Sequence, residues 1–417
     1  MRFEVKYDRN KSLEDSVYET KQRLYKEHKL EALFFEVTSR CNARCEHCGS
    51  SCGDFVPKDE MTFEEITSVM DDIAEHYNPR EIMFFFTGGE PLVRKDFFEI
   101  TAYANKLGFA WGITTNGMLI DEEVVQKMIE TNMYSISVSI DGLKETHEKF
   151  RKVPGSFDKI LKGIKLMHES KAIPIVQVTT CVNKKNIHEL DELHKLMKEI
   201  GIKNWRIITV DPIGRAKDND ELLLTPNQYK QVFHYMMKTR IEDPEMVIMY
   251  GCGHYFGNVI NSMLIGSFYT CFTGYWVASI LSNGDIFGCP DIERLPELIE
   301  GNIRKDKFSD VWENGFKRYR QMDRTSNDTC KACPDWKICL GDAFHTWDFV
   351  NNKPNFCARE LFKEDFDALE GKTEECPKAK AKSKTTKKVS SKKSAEKKTT
   401  TKKTVTKTAT KKTKKTK

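Results

Sequence analysis

From Leu33 onward, apolar runs of strand length alternate with stretches of helical periodicity, and this alternation restricts the fold more than any other feature of the chain. The runs cover 33–38, 82–87, 109–114, 134–140, 174–181 and 205–211. Between them, 62–76, 95–107, 121–131, 156–169 and 186–199 carry apolar residues three and four apart, and a sixth such stretch, 226–240, follows the last run. Parallel strands need a long crossover, usually a helix, so six βα units in succession predict a parallel sheet with helices outside it. Residues 1–31 are polar, with a short helix predicted near 13–28, and read as a lead-in packed on the sheet edge. In barrels of parallel strands, chemistry sits on the loops that leave the C-terminal strand ends.

The loop after the first run reads Glu36-Val-Thr-Ser-Arg-Cys41-Asn-Ala-Arg-Cys45-Glu-His47-Cys48, a C-x3-C-x2-C spacing. Three thiolates so close together can hold three corners of a cubane 4Fe–4S cluster, leaving the fourth iron open. A structural zinc knuckle is the alternative, though zinc usually takes four protein ligands in paired C-x2-C units. Cys52, four residues on, reads as a packed or supporting cysteine, since a fourth ligand would close the open iron. The second run ends in Gly88-Gly89-Glu90-Pro91, where paired glycines leave backbone bare for a ligand and Glu90 adds a carboxylate. The third ends in Thr114-Thr115-Asn116-Gly117. In the fourth, alternation puts Ser137, Ser139 and Asp141 on one face, facing a ligand or satisfied in the core. Arg215 follows a Pro-x-Gly turn after the sixth run and either binds a carboxylate in bidentate fashion or lies on a surface loop.

The cysteine spacing, the GGEP loop about forty residues later and the βα alternation together resemble the radical S-adenosylmethionine (radical SAM) superfamily. The resemblance implies an open six-unit (β/α) partial barrel of the TIM type. It implies that Cys41, Cys45 and Cys48 hold a 4Fe–4S cluster whose open iron chelates the methionine end of S-adenosylmethionine. It further implies that Gly88, Gly89, Glu90 and Pro91 meet the methionine amino group, that His47 lies near the adenine, and that Asn116, Ser137, Ser139, Asp141 and Arg215 line the cofactor site. The implied chemistry is reductive cleavage to a 5′-deoxyadenosyl radical, which abstracts hydrogen from the substrate.

After about residue 250 the alternation ends. Cys271 and Cys289 stand in C-x12-G-x4-C, followed by Cys330, Cys333 and Cys339 in C-x2-C-x5-C and later by Cys357. This resembles the SPASM extension, a small cysteine-rich α+β domain for auxiliary clusters in peptide-modifying radical enzymes. Carried over position by position, Cys330, Cys333, Cys339 and Cys357 complete one auxiliary 4Fe–4S cluster. The pattern departs at Ala343, where the family has cysteine, so Cys271 and Cys289 hold a labile cluster or none, unless Cys252, His254 or His345 completes it. Residues 279–287 read as a hairpin with an Asn283-Gly284 turn.

Thirteen cysteines in clustered spacings point to metal ligation in a reducing compartment, and the chain has neither a signal-peptide pattern nor an apolar run of membrane-spanning length. A cytoplasmic enzyme without membrane contact is expected. Charge is divided unevenly: residues 378–417 hold 18 lysines and one glutamate, so of the chain's net +5 this tail carries +17 and the rest 5 − 17 = −12. From about Gly371 the composition cannot bury a core and predicts a disordered tail open to nonspecific polyanion contact. The expected organisation is a lead-in at 1–31, a radical core at 32–245, an auxiliary cluster domain at 246–370 and the tail at 371–417. The expected partners are a peptide or small-protein substrate and an electron donor such as flavodoxin or ferredoxin. Modification of a protein side chain or a cofactor precursor is the alternative, with an RNA-modifying enzyme or an electron carrier more distant.

Overall fold

The computed structural model describes residues 12–53, 59–217, 219–251, 253–265, 268–322, 328–355 and 357–362. The expectations for residues 1–11, Cys252 and the lysine-rich tail lie outside the described residues.

Six parallel strands follow one another in chain order: β1 (Ala32–Thr38), β2 (Met83–Gly88), β3 (Ala110–Thr115), β4 (Ser135–Ser139), β5 (Ile175–Val182) and β6 (Asn204–Thr209). Helices α1 (Leu13–Glu27), α2 (Phe63–His76), α3 (Phe97–Leu107), α4 (Glu122–Glu130), α5 (Lys144–Arg151), α6 (Ser156–Ser170), α7 (Leu190–Glu199) and α8 (Pro226–Glu242) precede, join and follow them. The predicted α/β class and all six strands are present. Four further strands enlarge the sheet to ten. β7 (Val247–Tyr250) extends it beyond β6, while β8 (Val277–Ile280) pairs parallel with β1 and carries β9 (Asp285–Phe287) and β10 (Gly301–Asn302) antiparallel. The hairpin is β8–β9, and Gly284 alone closes its turn in the left-handed region, at φ +86°.

Local chemistry sets the helix boundaries. Thr62 and Glu65 form a reciprocal capping box at the start of α2, and Thr225 and Gln228 form another before Pro226 opens α8. Gly108 ends α3 in the left-handed conformation a side chain disfavours. Packing supplies most of the stability. Phe35, Phe84, Phe86, Phe97 and Trp111 are fully buried, with Phe35 edge-on to Phe84 at 5.4 Å and Phe86 edge-on to Phe97 at 5.7 Å. Each such ring contributes about 1.5–3 kcal/mol by leaving water. α1 lies against the C-terminal part of the chain: its Lys21 is buried, donates to the Ile338 carbonyl and sits 5.3 Å from the Tyr269 ring.

Arg94 ties the second βα loop to the first. Its Nη1 donates to the carbonyls of Val37 (2.6 Å) and Met61 (2.9 Å), while Nε and Nη2 grip both oxygens of Asp96 at 2.8 and 2.9 Å. Replacing Arg94 by Ala leaves two buried carbonyls unpaired, and urea unfolding should show a loss of about 3–5 kcal/mol. Replacing its exposed neighbour Lys95 by Ala should change stability by less than about 0.5 kcal/mol.

Candidate functional site

A cavity of about 320 Å³ opens at the C-terminal ends of β1 to β6. Cys41, Cys45 and Cys48 line it from the first loop, facing Gly88, Gly89 and Asn116, with Ser137, Ser139, Thr179, Arg151, Arg206 and Arg215 around the wall.

The cysteine loop is held from several directions. Cys41 N–H donates to Gly53 O at 2.6 Å, and Glu46 N–H to Phe150 O at 3.0 Å. Arg215 N–H donates to Cys48 O (3.0 Å), its Nε to Cys45 O (2.7 Å) and its Nη1 to Cys52 O (2.9 Å). The sequence offers Arg215 as a carboxylate ligand or a surface residue; instead, the guanidinium binds carbonyls of the cysteine loop. Gly214 permits this approach, because a Cβ there would lie 2.4 Å from Cys48 O. Gly89 is equally constrained, since its Cβ would fall 2.0 Å from Arg40 O and 3.0 Å from the Cys41 side chain.

Thiol acidity differs along the loop. Burial pushes Cys41 up to about 11 and also raises Cys45. Cys48 is held below the ordinary thiol range, first because the Cys52 thiol donates to it and then because Arg215 is near. Cys52 is buried and placed to support Cys48. His47 lines the cavity and stacks on Phe150 at 4.4 Å with planes 2° apart. Burial lowers its pKa to about 4, and its Nδ1 has no hydrogen-bond partner among the described residues.

Glu90 is fully buried and its carboxylate turns from the cavity into the next loop. Oε1 accepts from the Thr115 hydroxyl (2.7 Å) and Oε2 from Asn116 N–H (2.7 Å). Pro91, also buried, begins a short turn of helix at 91–93. Asn116 Nδ2 reaches Asn42 Oδ1 at 2.7 Å, beside the cysteine loop. Ser137 exchanges a 2.6 Å hydrogen bond with Thr179, and Ser139 is buried with 8% of its surface exposed. Asp141 lies just behind the wall: Arg151 Nε donates to it at 2.7 Å and Cys181 N–H at 2.8 Å. Burial alone would raise the Asp141 carboxyl, but Arg151 and two nearby histidines outweigh it and hold it below the ordinary range. Arg151, Phe150, Arg206 and Thr179 were not foreseen as site residues. Arg151 ends a short charged helix with no fixed spacing to the cysteines, so only its place ten residues after Asp141 signals it.

In the C-terminal region, Cys330 lies within a single helical turn at 328–331 with Cys333 two residues beyond it, and Cys339 ends another turn at 336–339. Burial raises the Cys330 thiol, and neighbouring Cys357 and Cys333 add to it; Cys357 likewise acts on Cys339. Cys271 and Cys289 are neighbours of each other, with Cys271 Sγ 3.4 Å from Thr273 Oγ1. Glu36 on β1 is bound by Arg294, which also donates to Ser50 at 2.6 Å, so the segment after the hairpin is tied to β1 by an ion pair and to the cysteine loop by a hydrogen bond.

Comparison with known proteins gives the class. The radical SAM superfamily model matches residues 35–197, and the SPASM iron–sulfur cluster-binding domain matches 271–334. An AdoMet-dependent heme synthase of Methanosarcina barkeri is 31% identical over 77% of this chain and 94% of its own length. An Fe-coproporphyrin III synthase of the same organism is 34% identical over 76% of this chain and 84% of its own. Mycofactocin maturase MftC of Mycolicibacterium smegmatis is 26% identical, over 74% and 77%. In fold, the chain is similar to anSMEcpe solved with bound AdoMet and Cp18Cys peptide, at a TM-score of 0.64 and 22% identity, over 83% of this chain and 99% of that one. The protein belongs to the radical SAM superfamily. It is an enzyme with a SPASM domain, and its cofactors are a 4Fe–4S cluster, S-adenosylmethionine and auxiliary iron–sulfur chemistry. The residues fit those groups: three soft donors share one loop, bare glycine backbone faces them, and the buried His47 Nδ1 is left without a partner among the described residues.

Replacing Cys41, Cys45 and Cys48 together by Ala should abolish 5′-deoxyadenosine formation in dithionite-reduced protein while other iron remains bound. Cys52→Ala should leave cleavage largely intact, because it removes one weak S–H donor and no iron ligand. Cluster number follows from the missing ligand at Ala343. Mössbauer and sulfide analysis should find about eight irons per chain, unchanged in a Cys271→Ala/Cys289→Ala variant. About twelve irons, falling to eight in that variant, would contradict the two-cluster count.

Proposed function

We propose that the enzyme abstracts hydrogen from a side chain of an iron tetrapyrrole, in the class of Fe-coproporphyrin III. The carrying observation is that identity of 31–34% to a heme synthase and an Fe-coproporphyrin III synthase extends over 94% and 84% of those proteins. The match therefore spans more than the core that all radical SAM enzymes share. A ribosomally made peptide is the first expectation from sequence; the tetrapyrrole enzymes reverse that order because their identity exceeds the maturase's 26%.

In this reading Cys41, Cys45 and Cys48 bind the radical cluster, and Cys330, Cys333, Cys339 and Cys357 bind the auxiliary one. When bound, the cluster and S-adenosylmethionine supply hydrogen-atom abstraction from an unactivated carbon. The chain's own work is positional. Arg215 fixes the cysteine loop, and Gly88 and Gly89 allow close approach of the methionine end. Glu90 and Pro91 shape that loop from beneath, while His47, Asn116, Ser137 and Ser139 meet the rest of the cofactor. Asp141 orients Arg151 toward the cavity. An external one-electron donor such as flavodoxin or ferredoxin completes the cycle.

A peptide remains the second reading, favoured by the maturase relative. Anaerobic incubation of the reduced enzyme with S-adenosylmethionine and Fe-coproporphyrin III, followed by mass spectrometry, separates the two. The expected result is a mass loss in the tetrapyrrole and transfer of side-chain deuterium into 5′-deoxyadenosine. An unchanged tetrapyrrole, beside a changed peptide encoded next to this gene, would overturn the proposal.

A further inference from the structure

Three side chains from separate stretches of the chain meet where the barrel adjoins the C-terminal region. Asp211 comes from the loop after β6, His254 from the segment after β7, and His345 from a short helical turn at 344–346. His254 Nε2 lies 3.7 Å from one Asp211 oxygen and His345 Nε2 lies 3.6 Å from the other; the imidazole centroids are 5.1 Å apart. One donor atom from each residue falls within 4.8 Å of the other two. The histidines are 1% and 8% exposed, and the Asp211 side chain 13%.

We propose that Asp211, His254 and His345 form a mononuclear site for a divalent transition-metal ion, distinct from the iron–sulfur clusters. Two imidazoles and a carboxylate are the donor set of borderline ions such as zinc and ferrous iron, whereas cubanes take thiolates. Bonds of about 2.0–2.2 Å at a tetrahedral angle set neighbouring donor atoms about 3.4 Å apart, close to the 3.7 and 3.6 Å between the two histidines and Asp211. Asp211 Oδ1 and His345 Nε2 are buried and have no hydrogen-bond partner among the described residues. A buried polar atom without a partner is costly, and coordination would relieve that cost.

The ligands are also held in place. Asn261 accepts from Phe256 N–H at 2.7 Å and donates to His254 O at 2.8 Å, fixing that loop, and Thr346 donates to Ala343 O at 2.8 Å, fixing the turn that carries His345. Three protein ligands leave one position of a four-coordinate ion for water or a substrate oxygen. Asp211 lines the central cavity, so the ion stands at its margin and joins barrel to C-terminal region. The proposal is independent of the substrate assignment, and it gives His254 and His345 a partner other than the Cys271–Cys289 pair.

Zinc is the probe, because a site of two imidazoles and one carboxylate should bind it well. The reconstituted holoenzyme is given zinc, desalted, and assayed for zinc, iron and acid-labile sulfide. The wild type should retain about one zinc per chain, and Asp211→Asn and His345→Gln should each lose at least about tenfold in zinc affinity with iron and sulfide unchanged. Zinc-edge absorption of the wild type should show nitrogen and oxygen neighbours with imidazole scattering and no sulfur, a readout that needs no variant to fold. Failure of the wild type to hold zinc, a sulfur shell, or joint loss of iron and sulfide in His345→Gln would each overturn the proposal.

Discussion

The hydrogen bonds from Arg215 to the cysteine loop are the constraint on which the site depends. A loop carrying three ligands for a metal cluster has little regular structure of its own, and its carbonyls need partners once it is buried. Arg215 supplies three donors, two from its side chain and one from its backbone, to the carbonyls of Cys45, Cys52 and Cys48. The two bonds from the guanidinium, being charged, are worth about 1.5–3 kcal/mol each. They link the loop after the first strand to the loop after the sixth, so the two ends of the six-unit barrel set the position of the thiols between them. Gly214 is the local price of that approach, since no side chain fits against Cys48 O.

The same logic runs around the cavity, where charged groups mostly organise neighbouring loops. Glu90 accepts from the Thr115–Asn116 loop, Arg151 is tied to Asp141, and Glu36 is tied to Arg294. Thiols, hydroxyls and glycine backbone line the cavity beside Arg151 and Arg215, whose charges are tied to Asp141 and to the carbonyls of the cysteine loop. Such ties place ligating atoms without leaving mobile charges to compete for the bound groups.

The six βα units were legible because strand-length apolar stretches, Met83 to Phe86 being the plainest, alternate with stretches of helical periodicity. The cysteine, GGEP and SPASM spacings were legible because metal and backbone geometry fix short-range distances. β7 and β10 were not, being four and two residues long, and although the β8–β9 hairpin was visible its docking was not, since β8 with β1 joins residues more than 240 positions apart. Arg215 was visible at its turn, but its partners were not, because carbonyl acceptors carry no sequence signature. The meeting of Asp211, His254 and His345 was hidden for the same reason, since each residue comes from a different stretch and only the fold brings them together.

The central claim is that Cys41, Cys45 and Cys48 leave one iron of their cluster open for the methionine end of S-adenosylmethionine. Electron–nuclear double resonance of the reduced enzyme, with S-adenosylmethionine labelled at the amino nitrogen, tests it most directly. The account predicts a strong hyperfine coupling from that nitrogen to the cluster signal. A reduced cluster signal that forms normally but shows no coupling to the labelled nitrogen would contradict it.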